Sequence, residues 1–224
     1  LSIGYKNFES LLEGAFEIDT HFKTADFKEN IPVVMALLSI WYNNFYLAET
    51  EAVIGYSEYL ERFPSYLQQL VMESNGKSID RSGKNIDYQT GSIIWGSCGS
   101  NAQHAFFQLI HQGTKLIPID FIGFINPLLP QNTHHSKLMA NLFSQVDALL
   151  AGRSKEEIGF MDINDDERAY KYFAGNKPST TILFESLSPK SIGKLIALYE
   201  HKTFVQGVIW NIYSYDQFGV ELGK

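Results

Sequence analysis

Residues 69–77 place a single carboxylate, Glu73, between an apolar helical run and a turn that contains Gly76. Partial burial at such a helix end disfavours the charged form of a carboxyl group, which makes it a stronger general base. Gly76 would let the backbone take a positive φ in the turn that follows. The alternative is an exposed glutamate at a helix end, and these residue types alone favour that alternative.

Residues 99–112 place His104 near the start of a predicted helix that begins at about residue 102 and stops at Gly113. Ser100 can cap this helix, and the free amide groups at a helix start attract anions or polarised oxygens. The helix dipole there favours a neutral imidazole, which can accept a proton from a hydroxyl group. His111 shares the face of His104, but two helical turns, about 10 Å, separate them too far for one metal ion. For either histidine the alternative is a partly buried ring held by a hydrogen bond.

The C-terminal stretch, residues 207–224, ends in Lys224, and a terminal lysine is usually a solvated surface charge. The glycines at positions 96 and 99 lack the spacing of a dinucleotide-binding fingerprint or a P-loop. The sequence has no paired-cysteine motif, no zinc-protease motif and no Ser-His-Asp order. The residues alone therefore indicate an α/β domain with a candidate acid–base site.

The composition is that of an ordinary globular protein with an acidic balance. The 224 residues carry a net charge of −7, with 45% hydrophobic and 19% charged residues. Without a basic stripe the chain is a poor partner for nucleic acid, although a small phosphate needs only local donors. The most apolar stretch, residues 33–42, is about half as long as a membrane span, so we expect no membrane association. Cys98 is the only cysteine, which fits a reducing cytoplasm.

Hydrophobic periodicity predicts alternating strands and helices. Helices are predicted near residues 7–20, 32–46 and 58–72, the third broken or started at Pro64. Strands are predicted at 92–95, 115–122 and 180–184. Further helices are predicted at 102–112, from the caps at 132–136 to Gly152, and at 192–210 after a Ser188-Pro189 start. This alternation indicates a mainly parallel sheet flanked by helices.

Three long segments resemble the glucose-6-phosphate isomerase family, and the similarity runs through the whole chain. The family has a three-layer sugar-isomerase (SIS) fold, with two related α/β domains in each subunit of a tight homodimer. The resemblance implies that residues 1–224 form the second SIS domain and its flanking helices, with the first SIS domain absent. It also implies a cytoplasmic enzyme of glycolysis and gluconeogenesis that interconverts glucose 6-phosphate and fructose 6-phosphate through a cis-enediol, without metal or organic cofactor. The matching segments are residues 72–77, 103–114 and 207–224.

The resemblance also implies a role for individual residues. Glu73 matches the catalytic base that moves a proton between C2 and C1. His104 matches a histidine that assists ring opening from the partner subunit, and Lys224 matches a lysine near the ring oxygen. Gln69 and Gln217 match substrate-contacting glutamines, the latter near the phosphate.

Two departures from the family pattern occur beside His104, with Ser100 in place of a common Thr and Ala102 in place of a common Gly. The family's catalytic arginine and its phosphate loop lie upstream of residue 1, so we expect the isolated chain to have little or no activity. Two other interpretations stay open: a non-catalytic sugar-phosphate-binding SIS module, and an isomerase that also accepts mannose 6-phosphate.

Overall fold

The computed structural model describes residues 2–129 and 133–223. Within these residues, four strands form one parallel sheet: β1 (Thr50–Gly55), β2 (Ile93–Cys98), β3 (Ile119–Asn126) and β4 (Ser179–Ser186). Their spatial order is β2-β1-β3-β4. The helices are α1 (Tyr5–Thr24), α2 (Ile31–Ile40), α3 (Phe63–Leu67), α4 (Gly99–Ala105), α5 (Phe107–Gln112), α6 (Thr133–Ala151), α7 (Lys155–Gly159), α8 (Asp165–Arg168), α9 (Pro189–Ile209) and α10 (Phe218–Glu221).

In the described part of the chain, two helices continue as wider π-helical turns, and two short 3₁₀ turns connect other elements. The π turn Trp41–Phe45 follows α2, and the π turn Gln68–Glu73 follows α3. The 3₁₀ turns are Glu58–Leu60 and Ala169–Lys171. None of the helices in the described part of the chain has the length and apolar character of a membrane span.

Strand β1 lies inside the sheet and is buried on both faces. Ala52 and Ile54 belong to a core on one face, while Val53 belongs to a core on the other, as alternation along a strand requires. The first core is completed from α4, α5 and α6 by Ala102, Phe107, Ile110, Met139, Leu142 and Leu149. The second is completed mainly from α2, α3 and α9, including Met35, Leu67, Leu195 and Leu198. The result is the three-layer, helix-flanked parallel sheet that the sequence predicted.

Helices α1 and α9 approach each other closely because glycines lie at their contact. A Cβ on Gly14 would lie 2.0 Å from the carbonyl oxygen of Lys190. A Cβ on Gly193 would lie 1.9 Å from the carbonyl oxygen of Leu11. Glu17 on α1 also pairs with two α9 lysines, at 2.5 Å from Lys190 Nζ and 2.6 Å from Lys194 Nζ.

A charged cluster is buried at the amino ends of the strands. Lys202 Nζ lies 2.8 Å from Glu51 Oε2 and 3.7 Å from Asp120 Oδ2. Burial by itself would raise the pKa of Glu51, but the Lys202 ammonium and the hydrogen bonds from Lys202 and Ser39 hold that pKa below its usual value. Burial raises the pKa of Asp120, and Lys202 offsets this only in part. The Tyr199 hydroxyl donates to Asp120 Oδ2 at 2.8 Å.

Most predicted elements are confirmed, and the exceptions have local causes. Strand β1 was not predicted, and the strand predicted at 115–122 begins later, at Ile119. The helix predicted at 102–112 is two helices, because the backbone at Phe106 leaves helical geometry with φ −149°. The long helices are confirmed: Gly152 follows α6 with φ +67°, and Ser188 caps α9 through a reciprocal capping box with Pro189 in its first turn.

Candidate active site

A cavity of about 350 Å³ brings together three of the predicted site residues, Gln69, Glu73 and Gln217. One wall is the helical segment that ends at Glu73, and the others come from α9 and from the loop that precedes α10. Among the described residues, the lining is Tyr66, Gln69, Leu70, Glu73, Ser74, Glu200, Tyr215, Asp216 and Gln217. The cavity therefore joins parts of the chain that are remote in sequence.

The first wall is one face of the helical segment formed by α3 and its π turn. Tyr66, Gln69, Leu70 and Glu73 follow the spacing i, i+3, i+4 and i+7, which places side chains on the same side of a helix. Gln68 points away from them and donates to the Ile94 carbonyl oxygen of β2 at 3.0 Å. π turns occur often at functional sites, and this one ends on the proposed base.

Glu73 is half-buried and is the last residue of the π turn, rather than a residue just beyond a helix. The positive φ that Gly76 would allow is not used, because Gly76 is not among the glycines with positive φ. A glycine is needed there for another reason. A Cβ at position 76 would lie 2.5 Å from the Met72 carbonyl oxygen, so the chain can turn this tightly after Glu73 only without a side chain.

The second wall is the loop after α9, which side-chain hydrogen bonds fasten to the rest of the domain. Ser214 Oγ donates to Asn75 Oδ1 at 2.6 Å, and Asn75 Nδ2 donates to the Thr203 carbonyl oxygen at 3.0 Å. The Tyr215 hydroxyl donates to the Glu200 carbonyl oxygen at 3.0 Å, while Tyr215 itself has φ +71°. An unusual backbone conformation of this kind persists only where surrounding contacts hold it, and it sets the path of the chain into Asp216 and Gln217.

The cavity is rich in carboxylates. Glu73, Glu200 and Asp216 all line it, and Asp216 is paired with Lys77 at 3.2 Å. Burial raises the pKa of Tyr66 and of Tyr215 to about 12, and the Glu200 carboxylate adds to the effect at both phenols. Both phenols are protonated at neutral pH, as tyrosines ordinarily are, and can donate hydrogen bonds.

His104 lies outside this cavity, exposed on α4. The predicted position of His104 in a first helical turn is wrong, because α4 begins at Gly99 and His104 lies in its last turn. Ser100 is not the cap either, since Cys98 occupies the N-cap position without a side-chain cap. The argument for a neutral ring from a helix start therefore does not apply. His111 is a partly buried ring 3.2 Å from Gln145 Oε1, as its alternative interpretation stated.

The remaining predicted residue, Lys224, lies outside the described residues. The described residues hold no group of three or more His, Cys, Asp or Glu side chains placed to share a metal ion. Sequence reasoning missed Tyr66, Glu200 and Asp216 as cavity residues. Tyr66 could have been found from its helical spacing to Gln69 and Glu73, whereas nothing local indicates Glu200.

Comparison with known proteins matches all of residues 1–224 to the family model of phosphoglucose isomerase. The chain belongs to the phosphoglucose isomerase family. It is 63% identical to a glucose-6-phosphate isomerase of Christiangramia forsetii and 56% identical to one of Syntrophus aciditrophicus, in both cases over its full length. It spans 43% and 41% of those relatives, so the chain corresponds to less than half of the phosphoglucose isomerases it matches.

Solved structures agree with this assignment. A crystal structure of a glucose-6-phosphate isomerase from Chlamydia trachomatis aligns over 98% of this chain and 42% of that chain, with a TM-score of 0.87 and 44% identity. A hypothetical protein from Thermus thermophilus shares the fold, with a TM-score of 0.71 over 96% of this chain and 48% of that chain, at 23% identity. The family and the fold predicted from sequence are both confirmed.

Proposed function

We propose that this chain supplies part of the active site of an enzyme that interconverts glucose 6-phosphate and fructose 6-phosphate. The observation that carries the proposal is the shared cavity of Glu73, Gln69 and Gln217. Relatives named glucose-6-phosphate isomerase match the chain from end to end, which supports the choice of reaction. In this proposal residues 1–224 are the second of two SIS domains in a cytoplasmic homodimer.

Glu73 is the proposed base. The reaction moves a hydrogen between two adjacent carbons, C2 and C1, so one carboxylate that reaches both can remove the proton and return it on the same face of a cis-enediol. The half-buried position of Glu73 limits its hydration, which suits a base that works in a closed site. Gln69 and Gln217 offer amide groups that can donate to, and accept from, sugar hydroxyls.

The charges of the cavity favour the sugar end of the substrate. Glu73, Glu200 and Asp216 line it, and a phosphate dianion placed among several carboxylates would meet like-charge repulsion. We therefore place C1 and C2 in this cavity and the phosphate towards its margin. Gln217 is suited to donate to a phosphate oxygen there. The main phosphate donors and the catalytic arginine are expected from the upstream part of the enzyme.

Ring opening requires an acid and a base near the ring oxygen, a role that we assign to His104 and Lys224. His104 is exposed and lies away from the cavity of its own chain. The proposal is therefore that His104 acts in the cavity of the partner subunit, which makes the dimer necessary for catalysis.

A turnover assay of the full-length enzyme with fructose 6-phosphate tests the proposal. Glu73→Gln keeps the size of the side chain but removes the base, so kcat should fall at least about 100-fold. Glu61→Gln, an exposed residue of the neighbouring turn, serves as the matched control and should leave kcat unchanged.

Wild-type enzyme without isomerase activity would contradict the proposed reaction. Near wild-type kcat for Glu73→Gln would contradict the base and favour a non-catalytic sugar-phosphate-binding role for this site. Running the same assay with mannose 6-phosphate shows whether substrate choice is broader.

A further inference from the structure

Lys77 connects the two segments that carry the polar residues of the cavity. Its ammonium group donates to the carbonyl oxygens of Glu73 at 2.9 Å and Ser74 at 2.8 Å. It also donates to the carbonyl oxygen of Asp216 at 3.0 Å. The first two acceptors end the helical segment that bears the base, and the third immediately precedes Gln217. One ammonium therefore joins both walls of the cavity.

The three hydrogen bonds use every donor that a lysine ammonium has. Lys77 thus has no donor left for a substrate oxygen, and its side chain is largely buried, with 17% exposed. The carbonyl groups at a helix end lack partners within the helix, and a cation placed there is favourable. These features are those of a group that fixes the backbone, not of one that binds substrate.

Lys77 also compensates the charge of Asp216. Lys77 Nζ lies 3.2 Å from Asp216 Oδ1. This oxygen is buried and has no hydrogen-bond partner among the described residues. Asp216 and Glu73 line the same cavity. Without the ammonium, the Asp216 carboxylate would lose its ion pair in the cavity that also holds the proposed base.

We infer that Lys77 is a positioning residue of the isomerase reaction: it holds the Glu73 turn and the Gln217 loop at a fixed separation. The inference rests on the proposed function, since it concerns the placement of the same base. Displacement of a catalytic group by about 1 Å can cost about 100-fold in rate. The Lys77 ammonium donates to protein oxygens, and the main phosphate donors are expected from the upstream part of the enzyme. Loss of Lys77 should therefore lower kcat more than it changes KM.

The test uses full-length enzyme with Lys77→Ala and, as the conservative variant, Lys77→Arg. We expect Lys77→Ala to lower kcat by about 10- to 100-fold with KM changed less than about threefold. Ethylammonium ions, which can enter the vacated space, should restore part of kcat in Lys77→Ala but not in Glu73→Gln. Lys77→Arg keeps the charge and several donors, so its kcat should lie between those of Lys77→Ala and the wild type. Lys84→Ala, an exposed lysine in the following loop, should behave as the wild type.

Amide hydrogen exchange separates this inference from the proposed function. In Lys77→Ala or Lys77→Arg, exchange should accelerate in residues 73–77 and 214–217 and stay unchanged in the sheet. Wild-type kcat in Lys77→Ala, or unchanged exchange in both segments, would overturn the inference even if the wild-type enzyme isomerises sugar phosphates. Inactive wild-type enzyme would overturn the proposed function, while the exchange data would still decide whether Lys77 joins the two segments.

Discussion

Glu73 and Gln217 line one cavity, although the first belongs to a helical turn beside β2 and the second to the loop after α9. Their proximity is produced by contacts between the turn after Glu73 and the end of the chain. Asn75 bonds to Ser214 and to the Thr203 backbone, and Lys77 bonds to the Asp216 backbone. The segment that contains the proposed base therefore also carries the residues that fasten the opposite wall.

The buried lysine of α9 should be essential for stability. Lys202→Met leaves Glu51 and Asp120 without their cation, and removal of one partner from a buried ion pair typically costs about 3–5 kcal/mol. We expect a loss of that size in the free energy of unfolding of the full-length protein, measured by chemical denaturation. Adding Glu51→Gln to Lys202→Met should recover part of the loss, since the stranded charge is then removed. Lys28→Met, at an exposed position, is the control and should change the free energy of unfolding by less than about 0.5 kcal/mol. A similarly small effect for Lys202→Met would show that the buried lysine is not needed for stability.

Docking of α1 on α9 should depend on pH through Glu17. Hydrogen bonds from Lys190 and Lys194 lower the pKa of Glu17 from 4.5 to about 2. A carboxylate with a depressed folded-state pKa stabilises the fold above its unfolded pKa, and this stabilisation is lost as the pH falls through the folded value. The melting temperature of Glu17→Gln should therefore lie below that of the wild type at pH 7, and the gap should shrink between pH 4.5 and about 2. The effect is small because the group is exposed. An equal difference in melting temperature at pH 7 and pH 3 would show that the Glu17 carboxylate does not stabilise the fold through its charge. Glu9→Gln, on the same helix, is the matched control.

A complementation experiment tests whether His104 acts across a dimer interface. Glu73→Gln and His104→Ala homodimers should each be nearly inactive. When equal amounts are dissociated and reassembled, half of the dimers are mixed, and each mixed dimer has one site with both residues intact. About one quarter of wild-type activity should return. No recovery despite confirmed subunit exchange would place His104 and Glu73 in the same subunit's site or remove His104 from the mechanism.

Parts of the fold could be predicted because their determinants are local. Ser188, Pro189 and the apolar spacing of α9 lie within a few residues of one another, and the structure confirms that helix and its capping box. The helical spacing of Gln69 and Glu73 likewise places both on one face before any tertiary contact is known.

Other parts depend on residues that are distant in sequence. Strand β1 was not predicted because its apolar run, residues 52–54, is short and follows the charged Glu51. That carboxylate is stabilised inside by a residue remote in sequence, Lys202 of α9, whose Nζ lies 2.8 Å away. The two π turns have no sequence signal of their own. The break at Phe106 likewise has no sequence signal. Together with the start of α4 at Gly99, it places His104 in the last turn of a helix rather than the first. The participation of Glu200 in the cavity could not be predicted, because it depends on how α9 packs beside α3.

Solvent exchange at C2 of the substrate shows directly whether Glu73 is the base. Glucose 6-phosphate is incubated in D₂O with full-length wild-type enzyme, Glu73→Gln or the Glu61→Gln control, and deuterium at C2 is followed by proton NMR. If Glu73 is the base that removes this hydrogen, wild type and control should exchange it. Glu73→Gln should then exchange it at least about 100-fold more slowly while still binding the sugar phosphate. Exchange at the wild-type rate in Glu73→Gln would contradict the account.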